Sequence, residues 1–237
     1  MKIAGLDLSI SSSGVIVEEL DENYKVINLE RHGFTTVKKN SLLPGLVFHK
    51  IEDFLNDYER YQFFCDHIVN WCKDCDYIAI EDYAYSKSGA LGKIFSLAEF
   101  EGNIKLSLFR DGHSLRFYPP NTNKKFFAGY GSADKIGMKQ ALESRINCPT
   151  PANGSDDTLF LDITDLPPVK KGKDGAKPTS DLIDAYALCE FLRNELRIRN
   201  NIRDINSYEK TIIDCFTSKS DENPNGILGI PFTVKRF

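Results

Sequence analysis

Four acidic residues stand where one fold could bring them together. Asp7 ends an apolar run near the amino terminus, and Glu81 ends a second apolar run. Asp181 and Asp184 open a helical pattern, and their i, i+3 spacing places both side chains on one helical face. Neighbouring acids need a compensating charge, most often a hard divalent cation with oxygen ligands. We therefore expect a site for Mg²⁺, for which Mn²⁺ would substitute.

Such a site predicts hydrolysis of a phosphodiester in a nucleic acid backbone. In a two-metal site, ions about 4 Å apart activate a water molecule and stabilise the leaving oxygen. The four acids are the predicted metal ligands and catalytic residues. Asp82 is excluded because neighbouring residues on a strand point to opposite faces. Asp7 taken alone has a second interpretation, in which it caps the following turn through backbone N–H groups.

The elements that carry these acids predict a mixed sheet. Residues 2–17 form an antiparallel hairpin with a Ser-rich turn, and residues 25–36 add a third strand. Residues 77–81, YIAIE, and residues 115–118 suit buried parallel strands. The predicted fold class is α/β: a five-stranded mixed sheet, three antiparallel strands and then two parallel ones, flanked by helices. This order resembles the RNase H fold.

Helices are predicted where apolar residues recur at three and four residue spacing. This pattern covers residues 46–72 and 181–199, with further helices over 93–109 and 133–146. A short helix is expected to end near Gly129. These helices would flank the sheet.

Two polar stretches interrupt or follow this pattern. The predicted domain covers residues 1–199, with a polar insertion over about 148–178, and residues 200–237 form an extension of unknown role, with one helix over 205–216. The insertion carries a basic run that either contacts DNA or is a solvated linker. Its members are Lys170, Lys171, Lys173 and Lys177.

Composition fits a soluble chain rather than a membrane protein. The 237 residues are 41% hydrophobic and 27% charged, with a formal net charge of −4. No apolar stretch reaches the roughly 18 residues that a membrane span needs. We expect a cytoplasmic protein, in a bacterial host if the gene belongs to a phage, with no membrane partner.

The six cysteines are scattered and are expected to be reduced thiols. Cys72 and Cys75 form a CxxC pair, for which a zinc site is the alternative. A structural zinc site usually needs a second ligand pair, whereas Cys65 and Cys72 follow the apolar face of a predicted helix. The pattern favours buried thiols.

Four segments together resemble the RuvC-type Holliday junction resolvases. They are the Asp7 strand with its Gly14 hairpin, AIEDYAY around Glu81, FYPPNTNKKFFAGYGSADK at 117–135, and SDLIDAYAL at 180–188. The resemblance covers about residues 1–193. It implies a homodimeric, magnesium-dependent endonuclease that cuts symmetrically across branched DNA, with the four acids as metal ligands. The insertion and the extension are departures from the family, and they resemble what a bacteriophage enzyme carries.

The resemblance also implies basic residues that contact DNA phosphate near the cut. Lys124 and Lys135 match the family's basic positions, and Lys125 completes the pair at 124–125. Gly129 and Gly131 beside them would let a backbone approach a phosphate closely. Without the family, these lysines would be interpreted as solvated helix charges.

The loop after Glu81 supplies further predicted DNA contacts. Tyr83, Tyr85 and Lys87 lie on it, and in this fold it lies over the active site. Tyr85 is favoured as a residue that stacks on an unpaired base, worth about 1–3 kcal/mol. The alternative is that both tyrosines only cover the sheet edge.

Other functions use the same residues. The hairpin GLDLSISSSGVIV also resembles the first phosphate loop of actin and sugar-kinase ATPases, although the chain lacks a second such loop. A nuclease acting on RNA–DNA hybrid or flaps would share the acids, and a non-catalytic member of the superfamily would not need them. The family's dimer interface falls on the helix near residues 91–109, where Ile94, Leu97, Ala98 and Ile104 serve the core, a partner or both.

Overall fold

A six-stranded mixed sheet organises the part of the chain that the structure describes. The structure, a computed structural model, describes residues 1–82, 91–147, 159–169 and 177–200. The strands are β1 (Lys2–Asp7), β2 (Gly14–Leu20), β3 (Val26–Thr35), β4 (Leu46–Phe48), β5 (Tyr77–Glu81) and β6 (Ser114–Tyr118). Their order is β4-β3-β2-β1-β5-β6, with β1, β2 and β3 antiparallel and with β5 and β6 parallel to β1. The predicted mixed sheet is confirmed.

Helices cover both faces of this sheet. They are α1 (Asp57–Cys72), α2 (Leu91–Asp111), α3 (Pro120–Ala128), α4 (Lys135–Asn147) and α5 (Thr179–Arg199). Successive side chains of a strand point to opposite faces, so β1 supplies Ile3 to one core and Ala4 and Leu6 to the other. The Ile3 core is built with α3, α4 and α5, and the Leu6 core with α1 and α2. The result is a three-layer α/β/α arrangement.

The prediction of one helix over residues 46–72 is wrong in its first part. Residues 46–48 form β4, which pairs parallel to the end of β3 and makes the sheet six-stranded rather than five-stranded. The apolar spacing is misleading there because Ile51 is 67% exposed and Leu55 is 92% exposed, so they form no buried face. Periodicity predicts a helix only where the apolar residues share a core.

The true start of α1 has a local signal. The Asn56 side chain accepts a hydrogen bond of 2.9 Å from the Glu59 backbone N–H, and the Glu59 carboxylate accepts one of 2.6 Å from the Leu55 N–H. This reciprocal capping satisfies N–H groups that the first helical turn leaves unpaired. Asn followed three residues later by Glu therefore marks the boundary that the apolar spacing missed.

The cysteine prediction holds for the residues that the structure describes. Cys65, Cys72, Cys75 and Cys189 are free and buried. A hydrogen bond with Cys75, followed by burial, raises the pKa of the Cys72 thiol well above its usual range. Burial of these free thiols agrees with the apolar helical spacing of Cys65 and Cys72.

Several sequence predictions lie outside the described residues. These include the helix over 205–216, most of the 148–178 insertion and the extension after residue 200. The predicted division into a domain over 1–199 and an extension stays a prediction. Within the described residues, no helix has the length and apolar character that a membrane crossing requires.

Candidate active site

Asp7 and Glu81 lie side by side at the ends of two adjacent parallel strands. In the β1–β5 register Leu6 is opposite Ile80, and Asp7 and Glu81 are the next residues of the two strands. Leu6 and Ile80 both belong to the core on the α1 and α2 side. Alternation along a strand therefore turns both carboxylates to the other face, where α5 packs.

Two glycines let α5 approach the sheet closely enough to add its acids to this pair. A Cβ atom on Gly14 would lie 2.5 Å from the carbonyl oxygen of Asp181, and one on Gly5 would lie 2.2 Å from that of Ala185. Real Cβ atoms essentially never approach backbone so closely. Gly14 is paired with Asp7 in the hairpin, so the close contact brings Asp181 to the end of β1.

Asp181 is held in place but keeps one free oxygen. Its Oδ1 accepts a hydrogen bond of 3.0 Å from the Ser180 hydroxyl. Its Oδ2 is buried without a hydrogen-bond partner, and the Lys177 ammonium nitrogen lies 3.8 Å away. A buried carboxylate oxygen without a partner is costly, so this atom is suited to accept a ligand.

Electrostatics shows that the four acids share one region. Burial, followed by the negative charges of the other three acids, raises the pKa of Asp7 well above its usual range. Burial and then Asp184 raise the pKa of Glu81 to about 7, against an opposing effect of Lys124. These carboxyl groups therefore resist ionisation unless a positive charge joins them.

The two acids of α5 behave in the same way. Burial raises the pKa of Asp184 to about 7, and the charge of Asp181 adds to the shift, while Lys124 and Lys135 oppose it. Burial also raises the pKa of Asp181, but Lys177 and the hydroxyls of Ser12 and Ser180 act against it. Asp181 is thus the best compensated acid of the four.

The acids converge without forming a finished metal shell. As the side chains stand, no three His, Cys, Asp or Glu residues among those the structure describes are grouped so that they could hold a metal ion. The oxygen donors and the unbonded Asp181 Oδ2 nevertheless fit a hard divalent cation.

Two of the predicted DNA-binding lysines lie beside the acids. Lys124 is on α3 and lowers the pKa values of Glu81 and Asp184. Lys135 is the first residue of α4, and its Nζ donates a hydrogen bond of 3.1 Å to the Ser180 hydroxyl. Both lysines thus lie close enough to the acids to oppose the rise in the pKa of Asp184.

The remaining predicted DNA contacts are placed less directly. Lys125 is half-buried in the last turn of α3, and its role in DNA binding stays a prediction. Tyr83, Tyr85 and Lys87 lie outside the described residues, so their predicted contacts also stay predictions.

Lys177 is a site residue that the sequence did not single out. Its basic run suggested either a DNA-contacting loop or a solvated linker, but Lys177 points to the acids. Its Nζ donates hydrogen bonds of 3.1 Å to the Ser9 hydroxyl and 2.9 Å to the Ser11 hydroxyl. The signal that could have found it is the spacing of four residues before Asp181.

The Ser-rich turn after β1 is occupied by its own hydrogen bonds. The Ser9 N–H donates to the Ser13 hydroxyl at 3.0 Å, and the Ser12 N–H donates to the Ser9 hydroxyl at 3.1 Å. The Ser13 hydroxyl in turn donates to the Ser9 carbonyl oxygen at 2.9 Å. A phosphate-binding loop needs free N–H donors, so this arrangement disfavours the ATPase alternative.

The acids at the ends of β1 and β5 face the first turn of α5, on a sheet of the RNase H-like type. Comparison with known proteins finds relatives of one kind. The chain is 22% identical over 223 residues to the crossover junction endodeoxyribonuclease RuvC of Fusobacterium nucleatum, with 92% of this chain and 94% of the relative covered. It is 23% identical over 146 residues to RuvC of Caldicellulosiruptor saccharolyticus, covering 61% of this chain and 78% of the relative. No family model matches the chain.

Solved structures agree on the fold. The yeast mitochondrial Holliday junction resolvase Ydc2 aligns with a TM-score of 0.54 and 13% identity, covering 89% of this chain and 82% of that one. T. thermophilus RuvC in complex with Holliday junction substrate aligns with a TM-score of 0.50 and 16% identity, covering 80% of this chain and 91% of that one. The chain is a homologue of the RuvC-type Holliday junction resolvases and has their RNase H-like fold, which confirms the predicted resemblance.

Proposed function

We propose that this chain is a metal-dependent endonuclease that resolves four-way DNA junctions by phosphodiester hydrolysis. The observation that carries the proposal is the meeting of Asp7, Glu81, Asp181 and Asp184 at the same end of β1, β5 and α5, in a homologue of RuvC nucleases. After burial, the charges of Glu81, Asp181 and Asp184 all raise the pKa of Asp7, as expected of carboxyl groups that share a cation site.

Magnesium is the proposed metal, and Mn²⁺ should replace it. The donors are carboxylate oxygens, which hard cations prefer, and one of them, Asp181 Oδ2, is buried with no hydrogen-bond partner. The four acids would hold the metal in a two-ion site. When bound there, such ions supply an activated water and stabilise the leaving oxygen of the scissile phosphodiester.

The chain's own residues would orient the substrate around that centre. Lys124 and Lys135, which already act on the acids, would bind phosphate oxygens of the cut strand. Ser180 links Lys135 to Asp181 by consecutive hydrogen bonds of 3.1 Å and 3.0 Å, and so fixes this lysine relative to the acid. Hydrogen bonds between Ser9 and Ser13 hold the turn at 9–13 in one conformation. This turn would border the substrate beside Asp7.

The test is cleavage of a synthetic four-way junction by purified protein with Mg²⁺. We expect paired nicks in two opposed strands from the wild type and none from Asp7→Asn, with junction binding retained. A metal site supplies several kcal/mol of transition-state stabilisation, so the loss should be about a thousandfold or more in rate. The Asp82→Asn variant is the matched control, because Asp82 follows Glu81 but points away from the site, and it should still cut.

Other outcomes would identify a different activity. Preferential cleavage of RNA–DNA hybrid or of flaps would replace the resolvase with another RNase H-fold nuclease. Hydrolysis of ATP, with no cleavage of any nucleic acid, would refute a nuclease altogether.

Symmetric cutting of a junction needs two active sites, so we also propose a homodimer. Helix α2 supports this because Ile104 is fully buried in the core, whereas Ile94, Phe95 and Leu106 are 40%, 68% and 46% exposed. The exposed apolar residues would meet their copies in a partner. Sedimentation should give a dimer that Phe95→Asp converts to a monomer, and a wild type that stays monomeric with junction DNA would contradict this proposal.

A further inference from the structure

Lys177 joins two parts of the site that are distant in sequence. Its Nζ lies 2.9 Å from the Ser11 hydroxyl, 3.1 Å from the Ser9 hydroxyl and 3.8 Å from Asp181 Oδ2. Ser9 and Ser11 belong to the turn after β1, while Asp181 lies in the first turn of α5. The lysine therefore bridges the hairpin and the helix across the acids.

The position of the ammonium group is that of a counter-charge. Asp181 Oδ2 is buried and accepts no hydrogen bond, and the Lys177 ammonium nitrogen lies 3.8 Å from it. Lys135 also acts on the charge of Asp181, with a smaller effect than Lys177. The positive charge of Lys177 also lowers the pKa of Asp7, which lies at the end of β1. The lysine side chain is 34% exposed, whereas the Asp181 side chain is 7% exposed, so the lysine is free to withdraw toward solvent while the acid is not.

We propose that Lys177 is a positioning residue that neutralises Asp181 and Asp7 when the metal is absent and competes with the metal for Asp181 Oδ2. The ammonium group and a divalent cation are attracted by the same oxygen and repel each other. Metal binding must therefore displace Lys177, which the Ser9 and Ser11 hydroxyls retain at the edge of the site. This inference rests on the proposed metal site and assigns a residue that regulates its occupancy.

Competition predicts opposite effects on the free protein and on metal affinity. Removing the charge in Lys177→Met should lower the unfolding temperature of the metal-free protein, because Asp181 and Asp7 lose their counter-charge. The same change should lower the Kd for Mn²⁺ about tenfold, since the metal no longer has to displace a unit positive charge that lies 3.8 Å from Asp181 Oδ2. Lys177→Arg keeps the positive charge, so its metal-free unfolding temperature and its Kd for Mn²⁺ should stay close to those of wild type.

The experiment is a Mn²⁺ titration followed by electron paramagnetic resonance of the free ion, with thermal unfolding of the same full-length samples. Wild type, Lys177→Met, Lys177→Arg and Lys139→Met are compared at one pH and ionic strength. Lys139 is the matched control because it pairs with Glu143 on the exposed surface of α4, away from the acids. Lys139→Met should leave the Kd for Mn²⁺ unchanged.

Each result has a distinct meaning. Tighter Mn²⁺ binding and lower metal-free stability in Lys177→Met support the proposal. Unchanged or weaker Mn²⁺ binding in that variant, with normal binding in wild type, overturns the competition but leaves the proposed nuclease intact. Absence of Mn²⁺ binding in wild type overturns the proposed metal site and the competition together.

Discussion

The two ends of α5 both bury charged side chains, but they balance those charges differently. Toward its carboxyl end the helix buries Glu190, Arg193, Glu195 and Arg197, each no more than 4% exposed. At its amino end it presents Asp181 and Asp184 to Asp7 and Glu81. We call the carboxyl end of α5 the matched end, because its buried acids pair with cations. We call the amino end the unmatched end, because its acids outnumber the cations beside them.

At the carboxyl end, each buried acid meets a cation. Glu195 accepts hydrogen bonds from Arg116 at 3.0 Å, from the Tyr118 hydroxyl at 2.6 Å and from Arg199 at 2.8 Å. Glu190 accepts one of 3.1 Å from Arg145. Planar guanidinium groups suit such pairs because they donate several hydrogen bonds in fixed directions. This end of the helix binds α4 and β6 to α5.

At the amino end, acids crowd together with raised pKa values, and lysines offset them only in part. A lysine carries a compact charge on a flexible side chain, so its ammonium group can move away from a metal ion or toward a phosphate. We infer that buried charge in α5 stabilises the fold where a cation pairs with each acid, and that the excess of acids at the amino end is available to bind a cation. Variants at the two ends of α5 should therefore differ in whether they change stability or metal binding.

The largest expected effect on stability is at the matched end. Glu195→Gln leaves the guanidinium groups of Arg116 and Arg199 without the anion that they share. Breaking a buried ion pair by removing one partner costs about 3–5 kcal/mol. We expect a loss of that size in the free energy of unfolding by urea, while Mn²⁺ affinity of the folded protein is retained.

Glu143→Gln is the control for this variant. Glu143 pairs with Lys139 on the surface of α4, where both side chains are partly exposed. Exposed pairs contribute about 0–1 kcal/mol. An equally small effect of Glu195→Gln would show that the buried network at the carboxyl end does not stabilise the fold.

Gly14→Ala should affect both stability and the acids. The new Cβ would lie 2.5 Å from the Asp181 carbonyl oxygen and 2.8 Å from the Leu182 nitrogen, so α5 must shift. Overpacking of this kind costs about 1–3 kcal/mol, and a displacement of about 1 Å at a catalytic group can lower the rate about a hundredfold. Urea unfolding and junction cleavage would measure the two effects.

Gly102→Ala is the matched comparison for Gly14→Ala. Gly102 lies inside α2, and a Cβ there meets nothing within 4 Å. Alanine favours a helix over glycine by about 1 kcal/mol, so this variant should be more stable than wild type. If both alanine variants gained stability, the close approach of α5 to β2 would not be tight.

The active-site acids could be predicted because their constraints are local. Asp7 and Glu81 each end an apolar strand, and Asp181 and Asp184 share one helical face by spacing alone. The parallel register of β1 and β5 then places Asp7 beside Glu81, and strand alternation turns both toward α5. The structure confirms this register. Their roles as metal ligands remain a proposal.

The burial of the charged residues at the carboxyl end of α5 cannot be predicted in the same way. Glu190, Arg193 and Glu195 look like the solvated face of a surface helix, because the sequence does not show that other elements cover that face. Their partners, such as Glu18 on β2 and Arg116 on β6, are far away in the chain. The β4 strand was missed for a similar reason, since pairing with β3 overrides the local apolar spacing.

The last predicted effect is the pH dependence of the acids at the amino end of α5. A carboxyl group whose pKa is raised on folding stabilises the fold below its unfolded pKa, and this contribution is lost as pH rises through the folded pKa. Burial and the neighbouring acids raise the pKa values of Glu81 and Asp184 to about 7. Metal-free protein should therefore lose this contribution between about pH 4.5 and pH 7.

Histidines act in the opposite direction, so the acid effect must be isolated by a variant. Burial lowers the pKa values of His32 and His49, which makes the fold less stable as pH falls below about 6.5. Comparing wild type with Asp184→Asn cancels this contribution, because both proteins keep the histidines. The difference in unfolding free energy should favour Asp184→Asn at pH 8, where the wild-type carboxyl group has lost its proton against the raised pKa.

That difference should shrink toward pH 5, where Asp184 is protonated and resembles the amide. Saturating Mg²⁺ at pH 8 should reverse its sign, because the metal stabilises only the protein that retains the carboxylate. The Glu195→Gln variant carries intact acids and should show the same pH-dependent change as wild type. If the gap between wild type and Asp184→Asn stayed constant from pH 5 to pH 8, the acids at the amino end would be as well compensated as those at the carboxyl end.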